Sequence, residues 1–400
     1  MGLSVLISGA GIAGPTLAFW LSRHGMRPTI VEQAPRPRTG GYVIDFWGVG
    51  YEVAERMGLI DAVRGAGYQM RELRIVNAQG RRVGGFDVRV IRELAKDRYT
   101  SLPRSALARI LLDAAGAAGC ELIFGDGIES MEEQGGGVDV RFRHAPPRTF
   151  DFVIGADGLH SRVRRLAWGP EQQFERRMGY TVAAFEVEGY RPRDEDIYVA
   201  YSLPGRQAAR FSMRDDKTLF LFVAAAEHLP DVDPHDRAAQ EQALEHAYGN
   251  AGWECGGILD AMRRAEDIYL DRVEQIVMPR WSKGRVALLG DAAFCPSLLA
   301  GEGSGMAMAG AYVLAGELSK SPMEHGAAFD RYESFLRKFI DGKQKSAAKF
   351  GATFAPRTSL GVWFRNWASR LCNVPGLGRA ILAGSLVDDI RMPEYACRQQ

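Results

Sequence analysis

The chain has 400 residues, 46% hydrophobic and 25% charged, the composition of a globular protein large enough for two or three domains, or for one domain with a large insertion. Its 50 basic and 49 acidic residues leave a formal charge of +1, and no long basic run stands out beyond short clusters such as residues 162–165, which argues against nucleic acid or an acidic membrane surface as partner. Five cysteines (Cys120, Cys255, Cys295, Cys372 and Cys397) are scattered and odd in number, without a CxxC pair or a His/Cys cluster; this argues against a disulfide framework or a metal centre and fits a reducing cytoplasm.

In chain order, Ser4–Ser8 is a short, partly β-branched apolar run that predicts a buried strand. A glycine turn follows at residues 9–14, a helix over 15–24 that Gly25 ends, and a second strand over 28–32, together a compact βαβ unit. Residues 3–21 have about the length of a membrane span, but no Lys or Arg precedes them and Gly9, Gly11, Gly14 and Pro15 interrupt them, so neither a span nor a signal peptide is expected. Leu6 stands where myristoylation needs Ser or Thr. A helix is predicted over 105–118, strands over 122–124, 127–132, 138–142 and 151–154, and then the texture changes. Between about 179 and 225 four β segments with turn residues between them predict a mainly antiparallel sheet. One helical stretch over 236–264, a strand over 268–278 and another over 285–289 come next. A glycine-rich turn then leads to helices over 306–318 and 327–350, and the tail carries an amphipathic helix over 362–371. Nucleotide-type segments therefore sit at both ends and enclose a β-rich one.

Gly9-Ala10-Gly11-Ile12-Ala13-Gly14 is a GxGxxG with its required context: a strand before, a helix after, and an acidic residue, Glu32, at the end of the next strand. Gly9 permits the tight turn, Gly11 removes the Cβ that would meet a pyrophosphate, and Gly14 lets helix and strand pack closely; Ile12 and Ala13 open the helix whose N–H groups face the phosphate charge. Glu32 can accept both ribose hydroxyls and would repel a 2′-phosphate. The pattern indicates a bound dinucleotide without choosing between NAD and FAD.

Two later segments make that choice by resemblance. Gly155-Ala156-Asp157-Gly158-Leu159-His160-Ser161-Arg162-Val163-Arg164 carries a DGxxSxxR, and Gly290-Asp291-Ala292-Ala293 carries a GD that continues through Pro296 to Gly301-Glu302-Gly303-Ser304-Gly305. With the fingerprint, in this order over residues 3–318, the chain resembles the group A (para-hydroxybenzoate hydroxylase-like) FAD-dependent monooxygenases, including the tetracycline-degrading type without a C-terminal thioredoxin-like domain. The resemblance implies FAD as cofactor. Asp291 would hydrogen-bond its ribityl or ribose hydroxyls, Pro296, Gly301 and Gly303 would let the backbone approach the ring, and the amides of Ser304 and Gly305 would stabilise negative charge at flavin N1–C2=O. Arg104, just before a helix, is expected near the FAD phosphates or ribityl chain, and Arg36 or Arg38 over the adenosine diphosphate. Asp157 is expected either to contact cofactor or to hold its motif together. Phe294, Ser297, Glu302 and Gly305 depart from the family's His, second Pro, Gln and Asn, which puts side-chain contacts there in doubt.

The implied fold is α/β: a Rossmann-like FAD-binding domain with an inserted, mainly antiparallel substrate sheet and a C-terminal helical segment. The corresponding division is 1–75, 100–178 and 282–352 for FAD, 76–99 and 179–281 for substrate, and 353–400 for the tail. The implied reaction has NADPH or NADH pass hydride to FAD, O2 add at flavin C4a, and the hydroperoxide hydroxylate a small aromatic or polyketide-like substrate. A cytoplasmic monomer or homodimer is expected. Phe185, Tyr198, Tyr201, Phe211, Phe220 and Phe222 are candidate pocket walls, with about two-thirds of them core. Asp45 is noted without a role, His228, His235 and His246 read as surface residues, and no general base is assigned. Competing readings are a FAD-dependent reductase of the isoprenoid-reducing kind, an antibiotic-inactivating monooxygenase, a halogenase (which lacks its WxWxIP here) and a flavin-binding sensor.

Overall fold

The computed structural model describes residues 2–37, 42–233, 236–321, 323–374, 376–378 and 388–396. Its first sheet is assembled from distant parts of the chain. Strand Ser4–Ser8 lies at the centre, paired in parallel with Arg27–Glu32 on one side and Phe152–Gly155 on the other; Glu121–Phe124 and Val286–Leu288 extend the sheet, and the short antiparallel Ser282–Lys283 closes one edge. The near-continuous apolar runs have this explanation, because helices Ala13–Arg23 and Gly303–Lys320 pack together and the central strands are buried throughout. Five parallel strands thus have their carboxyl ends along one edge, and the three sequence motifs follow three of them there.

The second large sheet has seven strands in the order 269–276, 175–188, 217–225, 206–212, 197–203, 72–76, 82–87. All pairs are antiparallel except Glu72–Val76 against Ile197–Leu203. The divisions drawn at residues 75 and 178 cut through strands Glu72–Val76 and Glu175–Glu188, which continue into this sheet. A strand's own residues announce that it is a strand but not its partners, and here one of the two partners of 72–76 lies more than a hundred residues away. The helical stretch expected over 236–264 is two helices, Arg237–Tyr248 and Cys255–Met262, interrupted where Trp253 adopts φ +58°.

The two faces of the large sheet differ. Phe185, Tyr201, Phe220 and Phe222 join Leu244, Tyr248, Ile258 and Met262 of those helices in a closed core. Tyr198 and Phe211 lie on the opposite face with Tyr42, Trp47, Tyr99 and Tyr269, between the sheet and the first domain. The alternation of a strand separates Tyr198 from Tyr201 in this way.

Helix Ser359–Leu371 packs on the edge strand Arg82–Asp87, and its orientation is inverted. Its polar side faces the body: Ser369 Oγ accepts from Gly85 N (2.8 Å), and Arg370 and Asn373 donate to the carbonyls of Val83 and Gly85. Leu360, Trp363, Phe364 and Trp367 point outward, Leu360 with 74% of its surface exposed. No helix among the described residues is long and apolar enough to cross a membrane.

Candidate functional site

The glycine turn closes the crevice at its N-terminal end. Gly9 has φ +109°, and a Cβ there would lie 2.5 Å from the carbonyl oxygen of Ala156, so this position excludes any side chain. A Cβ on Gly14 would lie 2.0 Å from the Gly9 oxygen. Gly11 differs: its nearest neighbour would be the Arg104 guanidinium at 3.7 Å, and the protein leaves the remaining space open. The fold itself requires Gly9 and Gly14, whereas no contact within the described residues requires Gly11. Glu32 accepts from Ala10 N and Ala34 N, both at 2.9 Å, bracing the turn while each oxygen keeps a second acceptor site. Ile12 and Ala13 are buried where the helix starts. Arg104 begins helix Arg104–Ala117 and forms no ion pair among the described residues. Arg36 is exposed, and Arg38 lies outside the described residues.

Asp157 is committed to the chain. It accepts from Ser161 Oγ (2.5 Å), Arg162 N (2.8 Å), Val163 N (3.1 Å) and Ser8 Oγ (3.3 Å), which caps helix Arg162–Trp168 and ties the second motif to the first strand. Arg164 of the same motif is fully buried and reaches Ala292 O at 3.0 Å, Leu159 O at 2.6 Å and Glu171 at 2.5 Å. It pins the second motif to the third. His160 stands beside them, with Asp271 3.6 Å from Nε2 and Glu171 2.8 Å from Nδ1, and the two carboxylates push its pKa up to about 10. Unfolded, the group titrates near 6.5, so the imidazolium pairs stabilise the protein fully below about 6.5 and fade as pH rises toward 10. The ring is more than half exposed, so the effect is small. Wild type should melt above His160→Gln at pH 6, and the two melting curves should converge by pH 10; a gap that is flat across this range contradicts the assignment.

The third motif supplies the other end. Asp291 lies deep in the molecule yet keeps accessible surface, as does a side chain on the wall of an internal cleft. Burial raises its pKa against the pull of Arg104 and a hydrogen bond from the Cys295 thiol. A Cβ on Gly290 would come within 3.1 Å of Ala13, so the first and third motifs touch. A Cβ on Gly303 would lie 3.5 Å from Asp291 and 3.9 Å from Pro296, whose carbonyl accepts from Gln275 Nε2 at 2.7 Å. Gly301 is left-handed and faces Trp47.

Ser304 and Gly305 open helix Gly303–Lys320 where it crosses the start of helix Gly48–Arg56. A Cβ on Gly50 would lie 2.5 Å from Gly305 Cα, so the glycine at position 50 permits a helix crossing that brings two N-termini to one spot, whereas a Cβ on Gly305 would meet nothing closer than 3.4 Å. Glu302, in place of Gln, pairs with Lys343 at 2.7 Å, and Lys343 pairs with Asp388 of the tail at 2.7 Å. These residues line a narrow recess with Asp45, Trp47 and Gly301.

Sequence reasoning noted Asp45 but gave it no role. It lies deep in the same cleft, where burial raises its pKa although Tyr99 and Ser101 hydroxyls donate to it, each at 2.6 Å. The alternation of Val43–Phe46, with every second residue buried, was the available signal.

Comparison with known proteins agrees with this geometry. A family model described as FAD binding domain matches residues 2–339. The chain is 36% identical over 353 residues to the uncharacterized protein Rv1260 of Mycobacterium tuberculosis, covering 85% of this chain and 91% of that one. It is 33% identical over 348 residues to a flavin-dependent monooxygenase of an unknown prokaryotic organism, covering 85% and 87%. Among solved structures it is similar to tetracycline destructase Tet(55), with a TM-score of 0.83, 30% identity, and 98% and 99% of the two chains covered.

Proposed function

The chain belongs to the FAD binding domain family and is a FAD-dependent monooxygenase of the para-hydroxybenzoate hydroxylase-like group; on that premise we propose that it consumes NADPH or NADH and O2 to hydroxylate a small aromatic or polyketide-like molecule. The observation that carries this reading is the joining of three distant motifs at the carboxyl ends of one parallel sheet, beside an aromatic-lined face of a second sheet.

The residues present fit FAD. The open space at Gly11, the Arg104 cation, which forms no ion pair among the described residues, and the helix start at Ala13 suit a pyrophosphate, while Glu32 suits a ribose. Asp291, a deep carboxylate facing a cleft, suits a polyhydroxyl chain whose protons it can accept. The chemistry supplied by the group bound there is two-electron redox exchange between a nicotinamide donor and O2. The amides at residues 303–305 and 48–50 stabilise negative charge at the ring end, and Tyr42, Trp47, Tyr99 and Tyr269 keep the adjoining space dry. Asp157 acts as the clasp of its motif rather than as a cofactor contact. The cofactor part is built from both ends of the chain and the substrate part from the seven-stranded sheet.

The similarity to a tetracycline destructase over nearly the whole chain makes a tetracycline the first polyketide to offer. The test is oxygen uptake by the purified enzyme with NADPH or NADH. A monooxygenase shows uptake matched to nicotinamide oxidation and a product one oxygen atom heavier. Nicotinamide oxidation that reduces an added acceptor without oxygen uptake would instead support the reductase reading.

A further inference from the structure

The inverted packing of helix Ser359–Leu371 carries one polar group past the edge strand. The helix is anchored through Ser369, Arg370 and Asn373, so Arg365 is not needed to dock it. Its Nη2 donates to Ser202 Oγ at 2.5 Å, while its Nε is buried without a partner. No carboxylate pairs with Arg365 among the described residues, and burial pushes its pKa down to about 10. An enclosed guanidinium without a counter-ion is costly, and a ligand anion relieves that cost.

The neighbouring groups are similarly unfilled. Ser202 Oγ accepts from Arg365 and, at 3.4 Å, from Gln207 Nε2, which leaves its own proton free to donate. Tyr198, four residues back and on the same strand face as Ser202, has an enclosed hydroxyl with no partner. Arg365 is close enough for its charge to oppose the burial-driven rise in the Tyr198 pKa, and Asp45 acts on Tyr198 from the cofactor side. Between them lie Ala200 and Ala209, paired across the sheet, small residues that give the strand surface no bulk. A row of donors without acceptors thus borders the aromatic face assigned to the substrate.

We infer that Arg365 and Ser202 form the seat for an anionic oxygen group of the substrate, a carboxylate or an ionised enol, with the Tyr198 hydroxyl donating to a second polar oxygen of the same molecule. This rests on the monooxygenase reading above and narrows its substrate to acidic aromatics and acidic polyketides.

The FAD-loaded wild type, Arg365→Met and Arg365→Lys are titrated with salicylate against salicylamide, and with anthraquinone carboxylate against its carboxamide, following the visible absorbance of the flavin. Wild type should bind an acid roughly tenfold or more tightly than its amide, the return on one or two charge-assisted hydrogen bonds. Arg365→Met should erase that preference by weakening the acid alone, and Arg365→Lys should restore part of it, with flavin content and melting temperature equal in all three. No binding of either acid to wild type, equal binding of acid and amide, or equal weakening of both by Arg365→Met overturns the seat. Nicotinamide oxidation is read in the same samples. An acid preference without any stimulated oxidation leaves the seat standing and removes the monooxygenase reading, whereas oxidation stimulated equally by acid and amide does the reverse.

Discussion

Gly11→Ala is expected to weaken FAD binding severely and leave the fold intact, while Gly14→Ala is expected to damage the fold itself. The two positions sit three residues apart in one motif, but their surroundings are opposite. A Cβ at Gly14 would press against backbone, 2.0 Å from the Gly9 oxygen and 3.2 Å from the Ile7 side chain, where neither neighbour can yield without moving the strand–helix joint. Overpacking of this kind costs about 1–3 kcal/mol or more. At Gly11 the nearest atom is the end of the flexible Arg104 side chain at 3.7 Å, so the stability of the FAD-free protein should change by no more than about 0.5 kcal/mol. The added methyl would instead occupy the place of a pyrophosphate, and FAD affinity should fall roughly 100-fold or more, equivalent to about 3 kcal/mol. Urea unfolding of the FAD-free proteins and FAD titration of each variant separate the two effects. Full FAD affinity in Gly11→Ala would show that the open space serves no ligand.

Asp291→Asn should produce a complementary dissociation of stability from binding. The folded protein raises the pKa of this carboxyl above its ordinary value, chiefly by burial. An ionised Asp291 therefore costs stability, and the cost grows as pH rises above the unfolded pKa of 3.8 and through the folded one. Without FAD, the asparagine variant should be as stable as wild type in acid and more stable at neutral pH. With FAD the order should reverse, because charge-assisted hydrogen bonds from cofactor hydroxyls are worth about 1.5–3 kcal/mol each, and their loss should weaken FAD binding roughly 10- to 100-fold. Wild type then gains more from saturating FAD by mass action than the variant does. Melting temperatures at neutral pH, with and without FAD, give the result directly. A variant destabilised without FAD would make Asp291 a structural residue.

The nucleotide-binding part was legible because its signals are local. The strand Ser4–Ser8, the glycine turn and Glu32 lie within thirty residues, and the strand pairing, the Gly14 packing and the Glu32 brace are all contacts inside the βαβ unit. The other two motifs were legible as words, but their connection was not: Arg164 reaches Ala292 across 128 residues of sequence, and nothing near either residue announces it. The departures at Glu302 and Gly305 looked like losses when only the motif was read. In the fold, Lys343 satisfies Glu302 and ties it to Asp388 of the tail, and Gly305 lies against Gly50, where a side chain on Gly50 would meet it. Both partners come from elsewhere in the chain. The face of each substrate-sheet aromatic followed from strand alternation, which placed Tyr198 and Tyr201 on opposite sides, but the parallel pairing of Glu72–Val76 and the inward turn of Arg365 did not. An amphipathic helix is ordinarily read as burying its apolar side, and this one buries the other.

The most direct test of the central claim, that the two ends of the chain together hold FAD, is titration of the refolded, flavin-free protein with FAD alongside Gly11→Ala and Asp291→Asn. Wild type should take up FAD stoichiometrically, turn yellow with a structured visible flavin spectrum and gain thermal stability, while each variant requires far more FAD for the same change. A wild-type protein that is well folded by circular dichroism, yet stays colourless and gains no stability at saturating FAD, would contradict the account.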